Sequence, residues 1–396
     1  MAFSLFDAKG VALDQQRFTW RDLVQKPISK LDDDAFTRVR IILIGSIEHE
    51  ALRCSHMAAR CNQDLRLPLA QLRRTEQHQA TMVNWLIAPD HSSLEMAVAY
   101  AQAAIEVSAA IAQQEADPYL AQVCRFALLE HLDHLYRYAA LLDRLEGKDA
   151  NNILQSYTDI LPGRPTSEHH RAPQDDLRRP YDLKDAALPS KLHALTQLAL
   201  ASQAHDYHMH AGPQCSDSLA RQLYAEIASV DEQHVTQYAS LLDPADSAIA
   251  QWVLHEANEC YLYYSCVEQE SNHHVKAIWE RFLDYELAHF HLACAALKMH
   301  EKRDPAELIT HDFAMPLAFR SQRECVRKVL ASEVDLRTDG AQFVARQHES
   351  PDSVLYRKRI NADGSPSTAV ASGYLWMPGT ELNRRAVVSG FNGVAS

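Results

Sequence analysis

The sequence predicts an all-α protein built as two tandem four-helix bundles, followed by a mostly irregular C-terminal extension. Three observations carry this expectation. Only five of the eleven glycines in the 396-residue chain fall before residue 300. Across that region apolar residues recur at three- and four-residue spacing, the mark of amphipathic helices. The chain also repeats itself, since Glu130 in LEHLDHLYRYAAL and Glu286 in YELAHFHLACAAL are 286−130 = 156 residues apart. The same offset carries Glu76-Gln77-His78 onto Glu232-Gln233-His234, Leu67 onto Leu223 and Leu86 onto Leu242. Two separate windows share one register, so the chain reads as a tandem duplication.

Residues 1–33 form an extension expected to pack on the first bundle through Phe18 and Trp20. The first bundle, 34–161, contains helices near 34–61, 66–87, 91–115 and 119–146, with breaks at Asn62-Gln63-Asp64 and Ala88-Pro89-Asp90. Short connections between helices favour antiparallel neighbours. Residues 162–189 carry Pro162, Pro165, Pro173, Pro180 and Pro189, a composition that cannot sustain a helix and suits a linker. The second bundle, 190–302, follows with helices near 190–211, 216–242, 246–271 and 274–302. The tail, 303–396, holds the other six glycines and segments such as SVLYRKRI and TAVASGYLWM, which favour irregular structure with a short hairpin.

Composition excludes several classes. A formal net charge of −13 with dispersed lysines and arginines argues against nucleic acid. No run of about 20 apolar residues is present and MAFSLFDAKG lacks the pattern of a secretion signal, so no membrane span and a cytoplasmic location are expected. The eight cysteines include no C-x-x-C pair and read as reduced packing residues.

The chemistry concentrates in the second repeat. Two cations held a few ångströms apart in a bundle need several anionic oxygens, with an imidazole on each. Asp231 and His234, Glu256 and Glu259, and Glu286 and His289 are each three apart, which puts both members of a pair on one helix face. Glu259 lies 13 residues before a turn at Asn272 and Glu286 lies 14 after it, so a hairpin brings them to one height. Glu286 and His289 sit among Phe282, Leu283, Leu287 and Phe290, where a carboxylate needs a cationic partner. Glu256 is open between a bridging ligand and an outer partner, and Glu232 is a rival to Asp231.

These residues resemble the ferritin-like, rubrerythrin-like di-iron carboxylate superfamily, whose members set one carboxylate on the first and third helices and Glu-x-x-His on the second and fourth. The resemblance covers about 190–302 well and 34–146 loosely. It implies two ferritin-like bundles, with Glu286 and His289 as ligands from the fourth helix, Asp231 and His234 from the second, and Glu259 from the third. The first helix departs from the pattern: the level of Asp231 falls at Gln197, with Gln203 and His193 as other stand-ins. The first repeat reads as an eroded copy. Glu50 matches His78 in height and Glu106 approaches Glu130, but Thr75 and Asp133 stand where ligand partners are needed. His131 and His134 are expected in a satisfied polar layer, His169, His170, His205, His208 and His210 as solvated, and Tyr261, Tyr263 and Tyr264 as core.

The expected function is a non-haem di-iron or di-manganese oxidoreductase acting with oxygen or peroxide. It would hold two ions, or one, on Asp231, His234, Glu256, Glu259, Glu286 and His289. Its substrate is a small molecule or oxygen or peroxide itself, with electrons from another protein, no nucleic-acid or membrane partner, and a homodimer as one admissible assembly. The rival class is a metal-free helical scaffold or binding module whose acids form a buried network with residues such as Arg221 and Arg281.

Overall fold

Thirteen helices and one antiparallel strand pair make up the described part of the computed structural model, which covers residues 3–182, 184–310, 313 and 315–377. Eight long helices occupy the places the hydrophobic period predicts: α2 (Ala35–Cys61), α3 (Arg66–Asn84), α4 (Ser93–Gln114), α5 (Pro118–Glu146), α7 (Leu188–Ala211), α8 (Ser218–Ala239), α9 (Ala248–Gln269) and α10 (His273–Glu301). Single turns α1 (Trp20–Leu23) and α6 (Asn151–Leu154) sit among them, and α11 (Arg323–Glu333), α12 (Pro351–Ile360) and α13 (Pro366–Val370) follow. Local chemistry sets most of the starts. Asp34, Ser92, Asp117, Asp217, Ser247 and Asn272 each accept a backbone N–H of the first turn, satisfying donors a helix leaves unpaired. Gly147, at φ +62°, ends α5 in the left-handed region.

The pairing of hairpins departs from the expected tandem order. α2–α3, α4–α5, α7–α8 and α9–α10 are antiparallel hairpins, but α2 packs lengthwise on α9. Across this joint Arg40 of α2 pairs with Glu270 at the end of α9 (2.7 Å), and Gln79 of α3 donates to Glu286 of α10 (2.5 Å). The other two hairpins meet where His234 of α8 contacts Glu130 of α5 (2.6 Å) and Tyr138 of α5 stacks on His208 of α7. One bundle is thus α2–α3 with α9–α10, and the other is α4–α5 with α7–α8. The bundles expected over 34–161 and 190–302 have exchanged halves. Short loops fix which helices form a hairpin, while the connections at 85–92 and 240–247 are long enough to carry the chain from one bundle to the other. A single continuous apolar core runs through all eight helices. Helix α4 is long and apolar enough to cross a membrane, and in this fold it is buried against α2, α5 and α7.

Other expectations change with packing. The proline-rich segment 162–189 is seated on the second bundle, not an open linker: Arg164, His169, His170, Arg171, Asp175 and Arg178 are all buried. Gly163 makes this fit, because a Cβ there would lie 2.1 Å from the Leu129 carbonyl oxygen of α5. His169 and His170 are therefore not solvated, and His208 is buried as well. The expected hairpin is β1 (Leu336–Asp339) with β2 (Gln342–Ala345), whereas SVLYRKRI is helical within α12, which starts at a proline in its first turn. The remainder of the tail, from 378, lies outside the described residues. Phe18 packs on His78 of α3, as expected, and also on Phe282 and Tyr285 of α10, while Trp20 is 84% exposed. All eight cysteines are free, five of them buried.

Candidate metal centre

Seven side chains meet at the middle of the α2–α3–α9–α10 bundle: Glu48, Glu76, Gln79, Glu256, Glu259, Glu286 and His289. Each is at most 1% exposed. Helical spacing supplies the inward pairs Glu76 with Gln79, Glu256 with Glu259 and Glu286 with His289, each three apart on one face. Candidate ligand atoms of Glu256, Glu259 and Glu286 lie within 4.8 Å of one another, and so do those of Glu76, Glu256 and His289. Glu256 belongs to both groups, which makes it the side chain able to touch two cations at once.

The polar groups here are conspicuously short of donors. Both oxygens of Glu76 and of Glu259, and one each of Glu48 and Glu256, have no hydrogen-bond partner. Tyr263 donates to Glu48, Trp252 to Glu256 (2.5 Å), and Gln79 to Glu286 (2.5 Å). Among the described residues no lysine or arginine ion-pairs with any of the five glutamates. Arg221 and Arg281, named as counter-charges in the scaffold reading, bond instead to the Pro213 and Arg17 carbonyls. Burial and then mutual repulsion push Glu48, Glu256 and Glu259 well above the usual carboxylate range. Burial raises Glu76 to about 7, opposed by His289 and Arg73.

Gln16 closes the site from the N-terminal extension, a contact no sequence pattern announces. Its Nε2 donates to the Val11 carbonyl (2.8 Å), which turns its Oε1 toward His289 Nε2 (2.9 Å). Gly10, at φ +67°, lets the extension lie against α10, since a Cβ would come 2.4 Å from the Asp284 oxygen. Gln16 therefore holds the His289 ring with Nδ1 turned to the carboxylates, 3.1 Å from Glu286, which against the cost of burial raises the imidazole pKa in the metal-free chain. Gln16→Ala is expected to weaken metal binding about 10- to 100-fold while leaving the bundle folded. Competition with a chelator of known affinity measures this, and unchanged affinity contradicts the role.

Glu256, Glu259, Glu286 and His289 are thus brought together, and Asp231 and His234 are not among them. Those two face the other bundle, with His131, His134 and Glu130. Burial explains the mistaken grouping. The buried set Leu69, Leu72, Thr75, Glu76, Gln79 and Val83 of α3 matches Tyr224, Ile227, Val230, Asp231, His234 and Tyr238 of α8 at an offset of 231−76 = 155, one less than the 156 relating Glu130 to Glu286. The first-repeat counterpart of Asp231-x-x-His234 is therefore Glu76-x-x-Gln79. Glu232, the rival to Asp231, points outward, and His78 is half-buried against Phe18. The acid on the first helix comes from α2 as Glu48, while Glu50 pairs with Arg53. Gln197, Gln203 and His193 bond to Ser108, Tyr100 and Glu115, outside either cluster.

In the second bundle the corresponding glutamate is neutralised. Glu130 accepts from Arg171 (2.5 Å), Arg164 (3.1 Å) and His234 (2.6 Å), and against the cost of burial Arg171, His169 and His234 hold it well below the usual range. Asp133, in the place of His289, pairs with Arg137. Glu106 does not approach Glu130, as it accepts from Thr158 and the Gln322 N–H. No family model matches the chain, and no significant match was found among curated proteins or solved structures.

Proposed function

We propose that the chain is a non-haem di-iron or di-manganese carboxylate protein, an oxidoreductase acting with oxygen or peroxide, with its centre in the α2–α3–α9–α10 bundle. One observation carries the reading: five buried glutamates converge, four of them with unpartnered oxygens, and among the described residues none is ion-paired to an arginine or lysine, while Glu130, the counterpart of Glu286, pairs with two arginines. An uncompensated buried charge is costly enough that sequences remove it, protonate it or supply a cation. The donor set fits hard divalent ions with an imidazole. Glu256 would be shared, with Glu48, Glu76, Glu259 and Glu286 as carboxylate donors, His289 as the imidazole, and Gln79 in the place of a second one. This arrangement resembles the ferritin-like pattern with Glu76-x-x-Gln79 replacing one Glu-x-x-His.

Bound, a pair of such ions would supply a redox-active centre for oxygen or peroxide. The chain's own part is to orient and to exclude water. Tyr263 and Trp252 hold Glu48 and Glu256, Gln16 holds His289, and the buried Phe282 packs edge-on against Tyr263. A groove of about 730 Å³ lined by Leu13, Asp14, Ala70, Arg74 and Thr75 runs between the extension and α3, beside Gln16 and Glu76 in the chain, and offers a small substrate its approach. Electrons would come from another protein, in the cytoplasm.

The test is whole-metal mass spectrometry of chain purified from iron-supplied cells, compared with the Glu259→Ala/Glu286→Ala double variant. About two ions per chain should separate them, and the iron-loaded chain should consume oxygen faster than the variant. A difference below about a tenth of an equivalent removes the proposal and leaves the scaffold reading.

A further inference from the structure

The second bundle contains a different donor set. His131 and His134 are three apart on α5 and Asp231 faces them from α8, all three buried at 6%, 3% and 2% exposure. One donor atom from each lies within 4.8 Å of the other two. We propose that His131, His134 and Asp231 bind a single divalent transition-metal ion, at a site separate from the carboxylate centre.

A second observation points to the same ligand. His234 is fully buried, its Nε2 is taken by Glu130 (2.6 Å), and its Nδ1 has no partner. A carboxylate only accepts, so Nε2 carries the hydrogen and a neutral ring presents a bare lone pair at Nδ1. That nitrogen lies 3.8 Å from Asp231 Oδ1, with its ring 4.5 Å from that of His131. A lone pair facing a carboxylate oxygen is repulsive unless a proton or a metal ion lies between them, and the three neighbouring donors make this a place for a metal ion.

The outer partners of each donor are already in place. His208 Nδ1 donates to Asp231 Oδ2 (2.6 Å), leaving Oδ1 for an ion. His169 Nε2 lies 2.6 Å from the Arg164 carbonyl, which can only accept, so His169 Nδ1 accepts from His134 Nε2 at 3.3 Å. His134 then keeps a free lone pair at Nδ1. Such carboxylate–histidine and carbonyl–histidine chains orient ligands in metal sites. Neither Arg164 nor Arg171 neutralises Asp231: both pair with Glu130, and Arg171 also with Asp176. Imidazoles with one carboxylate suit Zn²⁺, Co²⁺ or Fe²⁺, and not Mg²⁺ or Ca²⁺. The proposal does not depend on the function assigned to the first bundle.

The experiment titrates Co²⁺ into the full-length Glu259→Ala/Glu286→Ala chain, reading visible d–d absorption and bound equivalents. One saturable equivalent is expected, abolished by adding His134→Ala and weakened about tenfold or more by Asp231→Asn. Circular dichroism establishes that each variant is folded. On the chain with an intact carboxylate centre the same substitutions should remove one equivalent, which covers the case where the double variant does not fold. Absence of Co²⁺ binding, or stoichiometry unchanged by both His134→Ala and Asp231→Asn, overturns the site and leaves a protonated His234 as the partner of Asp231.

Discussion

Glu286→Ala should strip the carboxylate centre of most of its metal, whereas Glu130→Ala should leave that metal in place and destabilise the fold instead. The two glutamates are repeat counterparts, so the contrast is internal to the chain. Glu286 contributes oxygens to a site where, among the described residues, no arginine or lysine forms an ion pair, and losing an anionic donor there should lower occupancy by about tenfold or more. Glu130 accepts from Arg164 and Arg171, both buried. Its removal strands Arg164 and leaves Arg171 with Asp176 alone, and breaking a buried pair from one side costs about 3–5 kcal/mol. Metal analysis and urea unfolding of the two variants measure both effects. Equal metal loss would mean that the centre is not confined to α2–α3–α9–α10, and equal stability loss in the metal-free state would mean that the arginines do not define the second bundle.

The second large effect is that metal should stabilise the chain more at pH 7.5 than at pH 5.5. In the metal-free chain Glu48, Glu76, Glu256 and Glu259 have folded values raised above the ordinary 4.5, with Glu76 at about 7. A raised acid contributes stability that is complete below its unfolded value and is lost as pH climbs through the folded value. Metal-free protein should therefore weaken from about pH 4.5 upward through neutrality. Cations reverse the loss by stabilising the ionised carboxylates and binding only the folded chain. Thermal melts of apo and iron-loaded protein at about pH 5.5 and about pH 7.5 test this, with the larger metal-dependent gain at the higher pH. Coincident melts at both values would show that these acids hold no metal.

Much of the site was legible because a helix converts spacing into direction. Glu256, Glu259, Glu286 and His289 were predicted to share a face and a height, and their donors do converge. Glu76 and Gln79 are hidden by the register of the repeat, and Glu48 by the choice of Glu50 as the inward acid of α2. Matching residue names set Glu76-Gln77-His78 against Glu232-Gln233-His234, which pairs the buried Glu76 with the exposed Glu232 one position beyond its buried counterpart Asp231. Burial restores the true register, and a count of apolar residues along α3 and α8 could have found it. Gln16 had no such signal, because a lone glutamine in an irregular segment has no period to read.

The eight long helices and their approximate limits follow from the sequence by itself, since hydrophobic period, capping side chains such as Asp117 and Asn272, and breaks at proline and glycine act within a few residues. Which hairpin lies against which was decided only in three dimensions. Eight amphipathic helices of one repeat type can close as two sequential bundles or as two exchanged ones with nearly the same apolar faces buried. The choice depends on contacts between residues more than 200 apart, such as Gln79 with Glu286 and Arg40 with Glu270. The same pairing divides the acids into a centre without arginines and one with them, because whether a buried carboxylate meets a cation depends on its neighbours in space and not on its neighbours in the chain.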